Sequence, residues 1–220
     1  MNEALKIKPV DLKSLILGDL KKQDPVTHSE IIAFQQVYKV TEATNGRHSI
    51  SFLLDLFFSF KNSLLNPSAV IHEINFLEGK ELESRAKVAS LFQKNPLKGL
   101  WHKHYYDGNI TALANNVKNA LNEHSLPYFE KMVSDAKQIG EERFVSLEDI
   151  PHIVNDAISG NLERRRKDGK ITGEWVVYAC HEGINYYLCL AKHNDGDEKI
   201  RMKIKSTCVL EFPFLRKILS

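Results

Sequence analysis

The chain has 220 residues, 43% hydrophobic and 26% charged, with 30 Lys and Arg against 28 Asp and Glu for a net charge of +2. This is globular composition and excludes a disordered, collagenous or disulfide-framework chain. The near balance of charge also excludes a globally basic nucleic-acid binder, so any phosphate-binding function must be local.

Three cysteines are too few for a disulfide network, and the opening Met1–Lys6 segment has no basic region leading into an apolar run. Both point to a reducing, cytoplasmic setting. From Val10 to Leu20 the chain reads as an amphipathic piece closed by Asp24-Pro25. Ser29 suits the N-cap of a helix through about Thr44, with Ile32, Phe34, Val37 and Tyr38 as apolar contacts and Asn45-Gly46 as its stop. The stretch from Ile50 to Leu65 is the most apolar, but Asp55 and Lys61 interrupt it. It is also shorter than the roughly 20 residues of a membrane span, so a buried core helix is expected and no membrane contact.

After Pro67 the pattern reads as period two. Val70, His72, Ile74 and Phe76 alternate with Ile71, Glu73, Asn75 and Leu77, which predicts a strand near 69–77. A helix is expected over 81–93, ended by Asn95-Pro96. Ile110, Leu113, Val117 and Leu121 fall on one helical face. Ser125-Leu126-Pro127 suits a helix start with Ser125 as N-cap, and Ser146 with Asp149 resembles a capping box. The helix after that box should turn Ile150, Ile153, Val154, Ala157 and Ile158 inward and stop at Gly160. Asn161 to Thr172 reads as a polar, basic connection.

Two strands then flank a tight turn at Glu182-Gly183. A two-residue loop places His181 opposite Ile184, Ala179 opposite Tyr186, Val177 opposite Leu188 and Trp175 opposite Leu190, on the core face. The other face carries Tyr178 with Tyr187 and Cys180 with Asn185. His193-Asn-Asp195-Gly-Asp197 reads as a turn and cap before a helix bearing Ile200, Ile204 and Cys208. The expected class is therefore α+β: a mainly helical body with one strand near 69–77 and a C-terminal β-hairpin followed by a helix. A boundary near 170 would divide a body, 1–170, from a hairpin–helix subdomain, 171–220, packed on it, unless the whole is one domain.

The densest polar-aromatic cluster runs from Leu100 to Gly108. In an extended backbone His102 and His104 point to one side, but the aspartate is one place too far along for an HxHxD metal arrangement, so no metal and no cofactor is expected. Two imidazoles near neutrality suit proton transfer in phosphodiester cleavage. The sequence thus suggests a metal-independent ribonuclease with His102, His104, His181, Tyr178 and Tyr187 as catalytic candidates. Lys103 and the run Arg164, Arg165, Arg166 and Lys167 would hold RNA phosphates. The competing expectation is a non-catalytic module that binds a protein partner or a second copy through the mixed hairpin face. The motifs of P-loop, Rossmann, serine-hydrolase and zincin enzymes do not occur in the sequence.

Overall fold

The computed structural model describes residues 11–106, 110–140, 145–168, 170–171, 173–192 and 194–220. Met1–Lys6, Val10, Asp107, Gly108, Thr172 and His193, which enter the expectations above, lie outside the described residues. Side-chain caps start the early helices. Asp11 caps α1 (Leu12–Gln23) through Ser14 N, and Asp24 caps α2 (Pro25–Val37) through Thr27 N, with Pro25 in the first turn. The second helix therefore begins four residues before Ser29, whose hydroxyl bonds back to the Pro25 carbonyl inside it. Lys39, at φ 51, breaks the path before α3 (Val40–Ala43), and Asn45 and Gly46 turn it again at φ 49 and 75.

Ser49 caps α4 (Ile50–Lys61), the expected core helix, and donates its hydroxyl to the Leu188 carbonyl at 2.6 Å. The segment 69–77 is a helix, α5 (Pro67–Leu77), and not a strand. Asn66 caps it and Pro67 sits in its first turn, while Pro67, Val70, Glu73 and Ile74 are its buried positions. That is a 3.6-residue period hidden beneath the apparent alternation.

The expected helix over 81–93 is also absent from that stretch, which is irregular and ends in the short strand β1 (Ser90–Leu91). Its polar groups are taken by a buried ion pair. Lys103 Nζ lies 2.8 Å from Glu73 Oε2 with the side chains 0% and 1% exposed. Glu73 Oε1 accepts from Arg85 N at 2.8 Å, and Lys103 donates to the Ala86 and Lys87 carbonyls and to Ser84 Oγ. Backbone groups satisfied in this way are not available to a helical ladder.

The antiparallel sheet has the order β1, β2 (Trp101–Tyr105), β3 (Glu174–His181), β4 (Ile184–Ala191). It joins strands from both sides of residue 170. The turn at Glu182-Gly183 is as expected, with φ 53 and 77 at its centre. His181 pairs with Ile184 and Ala179 with Tyr186, but an irregularity beyond Tyr178 shifts the register so that Val177 faces Cys189 and Trp175 faces Ala191. Arg47 to Ser49 bonds along the outer side of β4 at Tyr187.

Helices cover both faces of the sheet. One face, with Tyr105, Val176, Tyr178 and Tyr187, packs on α2, α4 and α5 through Ile31, Phe52, Leu56 and Ile74. The other, with Val177, Ala179, Leu188 and Cys189, meets α10 (Asp197–Lys203), the π-turn Ile204–Cys208 that extends it through α11 (Val209–Glu211), and the last helix α12 (Leu215–Ile218).

Between β2 and β3 the chain leaves as a helical arm. It departs after Tyr105 and returns before Glu174, two residues that are ladder partners. A Cβ on Gly173 would lie 1.8 Å from the Tyr105 carbonyl oxygen, so the return path admits only glycine. The arm comprises α6 (Ile110–His124), α7 (Pro127–Ile139), α8 (Asp149–Asn155), a π-turn at Asp156–Gly160 and α9 (Asn161–Lys167). Ser146 and Asp149 form the expected box. Ser125 does not cap α7; Asp156 Oδ2 accepts from Tyr128 N at 2.8 Å and Phe129 N at 3.3 Å. Gly160 does not stop its helix, and the basic connection is α9.

The expected inward stripe holds only in part, with Leu113, Val117, Ile153 and Ala157 half-buried. Asn116, Ala120, Asn161 and Arg165 are buried, whereas Ile110, Leu121, Ile150, Val154 and Ile158 are exposed. Asn161 satisfies the Ser125 and Ala157 carbonyls, and Arg165 pairs with Glu123 at 3.0 Å.

Two substitutions test this architecture. Lys103→Met leaves the Glu73 carboxylate buried and uncompensated and should lower unfolding free energy by about 3–5 kcal/mol in urea denaturation; a loss under about 1 kcal/mol would contradict the role of the pair. Gly173→Ala should cost about 1–3 kcal/mol by the same assay, and an unchanged midpoint would contradict the close approach to Tyr105.

Candidate functional site

His102 and His104 do point to one side of β2, with ring centroids 5.4 Å apart. The cluster they join is one of packing. His102 lies 4.5 Å from Phe92 and 5.2 Å from Trp175, and His104 Nδ1 donates to the Gly173 carbonyl at 2.7 Å. His181 does not join them. His102 pairs with Val177 and His104 with Trp175, and at about 3.3 Å per residue His181 stands roughly 13 and 20 Å along β3 from those positions. That exceeds hydrogen-bond reach. Its ring instead stacks on Phe214, 4.2 Å away and 7° from parallel.

Tyr178 and Tyr187 form a cross-strand pair with rings 6.0 Å apart, but on the opposite face of the sheet and buried at 4% and 0% exposure. A face closed in this way offers neither a base-stacking platform nor a docking surface. Burial pushes both phenols well above the ordinary tyrosine range. Tyr187 Oη donates to Glu78 Oε1 at 2.6 Å, and Arg47 and Asn45 hold the other carboxylate oxygen.

The basic candidates are largely committed to internal partners. Lys103 is the buried partner of Glu73. Arg164 pairs with Asp156 at 2.8 Å and Arg165 with Glu123, while Arg166 and Lys167 lie at the surface, Arg166 3.7 Å from Glu163. Because the run is helical, its four side chains point around α9 and do not form one phosphate-binding row.

Lys103 beside Ser84 invites comparison with a Ser–Lys nucleophile pair, but the contacts argue for a lock. Ser84 Oγ accepts from Lys103 at 2.8 Å and lies 2.7 Å from both Glu73 Oε2 and the Ala86 carbonyl. The hydroxyl is saturated, and the Glu73 carboxylate favours the charged lysine against the burial that pulls its pKa down. Cys189 and Cys208 are buried thiols, the latter pushed up to about 11 by burial, so neither is poised as a nucleophile. Among the described residues no group of three His, Cys, Asp or Glu side chains could hold a metal ion, and no helix is long and apolar enough to cross a membrane.

A concavity lies elsewhere, in a groove of about 590 Å³ between the end of α2 with α3 and the facing side of α5. The left-handed Lys39 turns the chain to form one wall, and Lys80 fixes it by donating to the Glu42 and Ala43 carbonyls and to Asn45 Oδ1, at the C-terminal end of α3 where a cation is favoured. His72 faces the Glu83 carbonyl at 3.0 Å and Glu81 at 3.8 Å. At Val37 and Tyr38 the groove meets a second, apolar trough of about 360 Å³ between α2 and α4, lined by Phe34, Phe57 and Phe60. Lys61 and Glu30, 2.5 Å apart, bridge α4 and α2 at the trough. Val37 is 72% exposed and Phe60 41%.

Sequence reading places Phe34, Val37 and Tyr38 among the inward contacts of one helix, and their spacing carries no signal that Val37 faces out. No protein-family model, curated protein or solved structure matches the chain.

A buried imidazole outside the predicted set supplies a test of the packing behind this wall. His48 is 1% exposed, with Nδ1 2.8 Å from Thr44 Oγ1 and Nε2 without a hydrogen-bond partner among the described residues. Burial, with the nearby Lys13 charge, holds its pKa down to about 3. The folded state thus refuses a proton that the unfolded chain accepts near pH 6.5, so the stabilising contribution is full above that pH and is lost as pH falls towards 3. Between pH 6 and 5 unfolding free energy should drop by about 1 kcal/mol more in the parent than in His48→Gln; equal slopes would contradict a neutral, buried His48.

Proposed function

We propose that this protein is a non-catalytic interaction module that binds a segment of another protein in the joined grooves along α2. The reading rests on one observation: exposed Val37 sits beside an aromatic trough that opens into a larger polar groove. Binding sites combine apolar walls with a few placed polar groups, and an exposed apolar surface of this kind is characteristic of protein interaction sites. The competing catalytic set would need His181 and the two tyrosines to converge on His102 and His104, and the sheet separates them. The exposed stripe on α6, with Ile158 beside it, is a second apolar surface of the kind an interaction protein carries.

Selection from a displayed library of helical peptides against the intact protein tests the reading. Enriched peptides should bind the parent and lose at least about tenfold in affinity to Val37→Glu, a variant expected to keep its thermal midpoint because Val37 is exposed. Failure to enrich any peptide, or enrichment indifferent to Val37→Glu, would contradict the proposal.

A further inference from the structure

The charges around the grooves specify the partner further, on the interaction reading just given. Lys61 is paired with Glu30 at 2.5 Å, Lys39 lies 4.0 Å from Glu42, and Glu81 faces His72 at 3.8 Å. Lys80 spends its donors on the end of α3 and on Asn45. Arg85 differs from all of these. Its backbone N–H is anchored to the buried Glu73 carboxylate at 2.8 Å, so the residue is held in place. Its side chain is exposed, lines the polar groove, and makes no hydrogen bond or ion pair among the described residues. The hydroxyl of Tyr38 and the side chains of Ser68 and Asn75, on the same walls, likewise have no intramolecular hydrogen bond among the described residues.

A guanidinium fixed at its base and free at its tip is matched by a carboxylate, which it can take through two parallel hydrogen bonds. The apolar requirement lies beyond Tyr38, in a trough whose walls are two helices, the geometry that receives the apolar face of a third. We infer that the partner segment is an amphipathic helix of another protein, with large apolar side chains seated between α2 and α4 and an Asp or Glu on the flank that faces α5, paired with Arg85. Arg85 on this account sets specificity and the apolar trough supplies most of the affinity.

The test repeats the helical-library selection on parent, Arg85→Ala and Arg85→Glu proteins, with sedimentation velocity of the parent alone. Parent selections should be enriched in Asp and Glu at one flanking position, and changing that residue to Gln should weaken binding about tenfold. The preference should vanish with Arg85→Ala and turn to Lys or Arg with Arg85→Glu, while all three proteins keep one thermal midpoint. Peptides that depend on Val37 but show no acidic preference would overturn this inference and leave the interaction reading standing. Absence of any Val37-dependent peptide would overturn both. A concentration-dependent dimer abolished by Val37→Glu would assign the groove to a second copy and overturn the inference of a foreign helix.

Discussion

The buried contact between Lys103 and Glu73 is the constraint on which the arrangement depends. It joins the central part of β2 to the middle of α5, and through the leftover capacity of both groups it dictates the path of residues 84–87. Two charges removed from water persist only when their remaining donors and lone pairs are satisfied, and here the backbone of the following segment does that. A stretch with the composition of a helix is drawn out as an irregular strap, which delivers β1 to the sheet edge and Arg85 to the groove. Fold and candidate site therefore share one polar anchor.

Around that anchor the structure separates packing from presentation. The two faces of the sheet are both closed, one by α2, α4 and α5 and the other by the C-terminal helices. The residues with the most suggestive chemistry, the tyrosine pair and the strand histidines, belong to these packed layers. What the surface presents is apolar and cationic in places that the core does not need: Val37 and Phe60 over the aromatic trough, Arg85 beyond them, and the outward stripe of the arm. The arm reinforces the point, since Asn161, Arg165 and Asp156 hold its helices together from within while several of its isoleucines face out.

The parts legible from sequence were those fixed by neighbours in the chain. Glu182-Gly183 announced its turn, Asn45-Gly46 its break, Ser146 and Asp149 their box, and the Ile50 helix its burial, because local dihedral preference or composition decides each. The alternation in 69–77 misled because four apolar residues in a short segment fit both periods; the deciding fact, the burial of Glu73, depends on a lysine thirty residues away. The register shift in β4, the cap that Asp156 lends to α7 and the stacking of His181 on Phe214 are similarly non-local. The candidate site was the least legible part, because the spacing of Phe34, Val37 and Tyr38 is that of a core stripe and only the placement of α4 and α5 leaves Val37 uncovered.

The central claim, that the grooves along α2 are the binding surface, is tested most directly by hydrogen–deuterium exchange of the intact protein with and without a selected helical peptide. The account predicts new protection in residues 30–43 and 57–85, with the strands and the arm unchanged. Protection confined to residues 101–106 and 174–181, or to the arm helices, would contradict it and return the histidine cluster or the arm to first consideration.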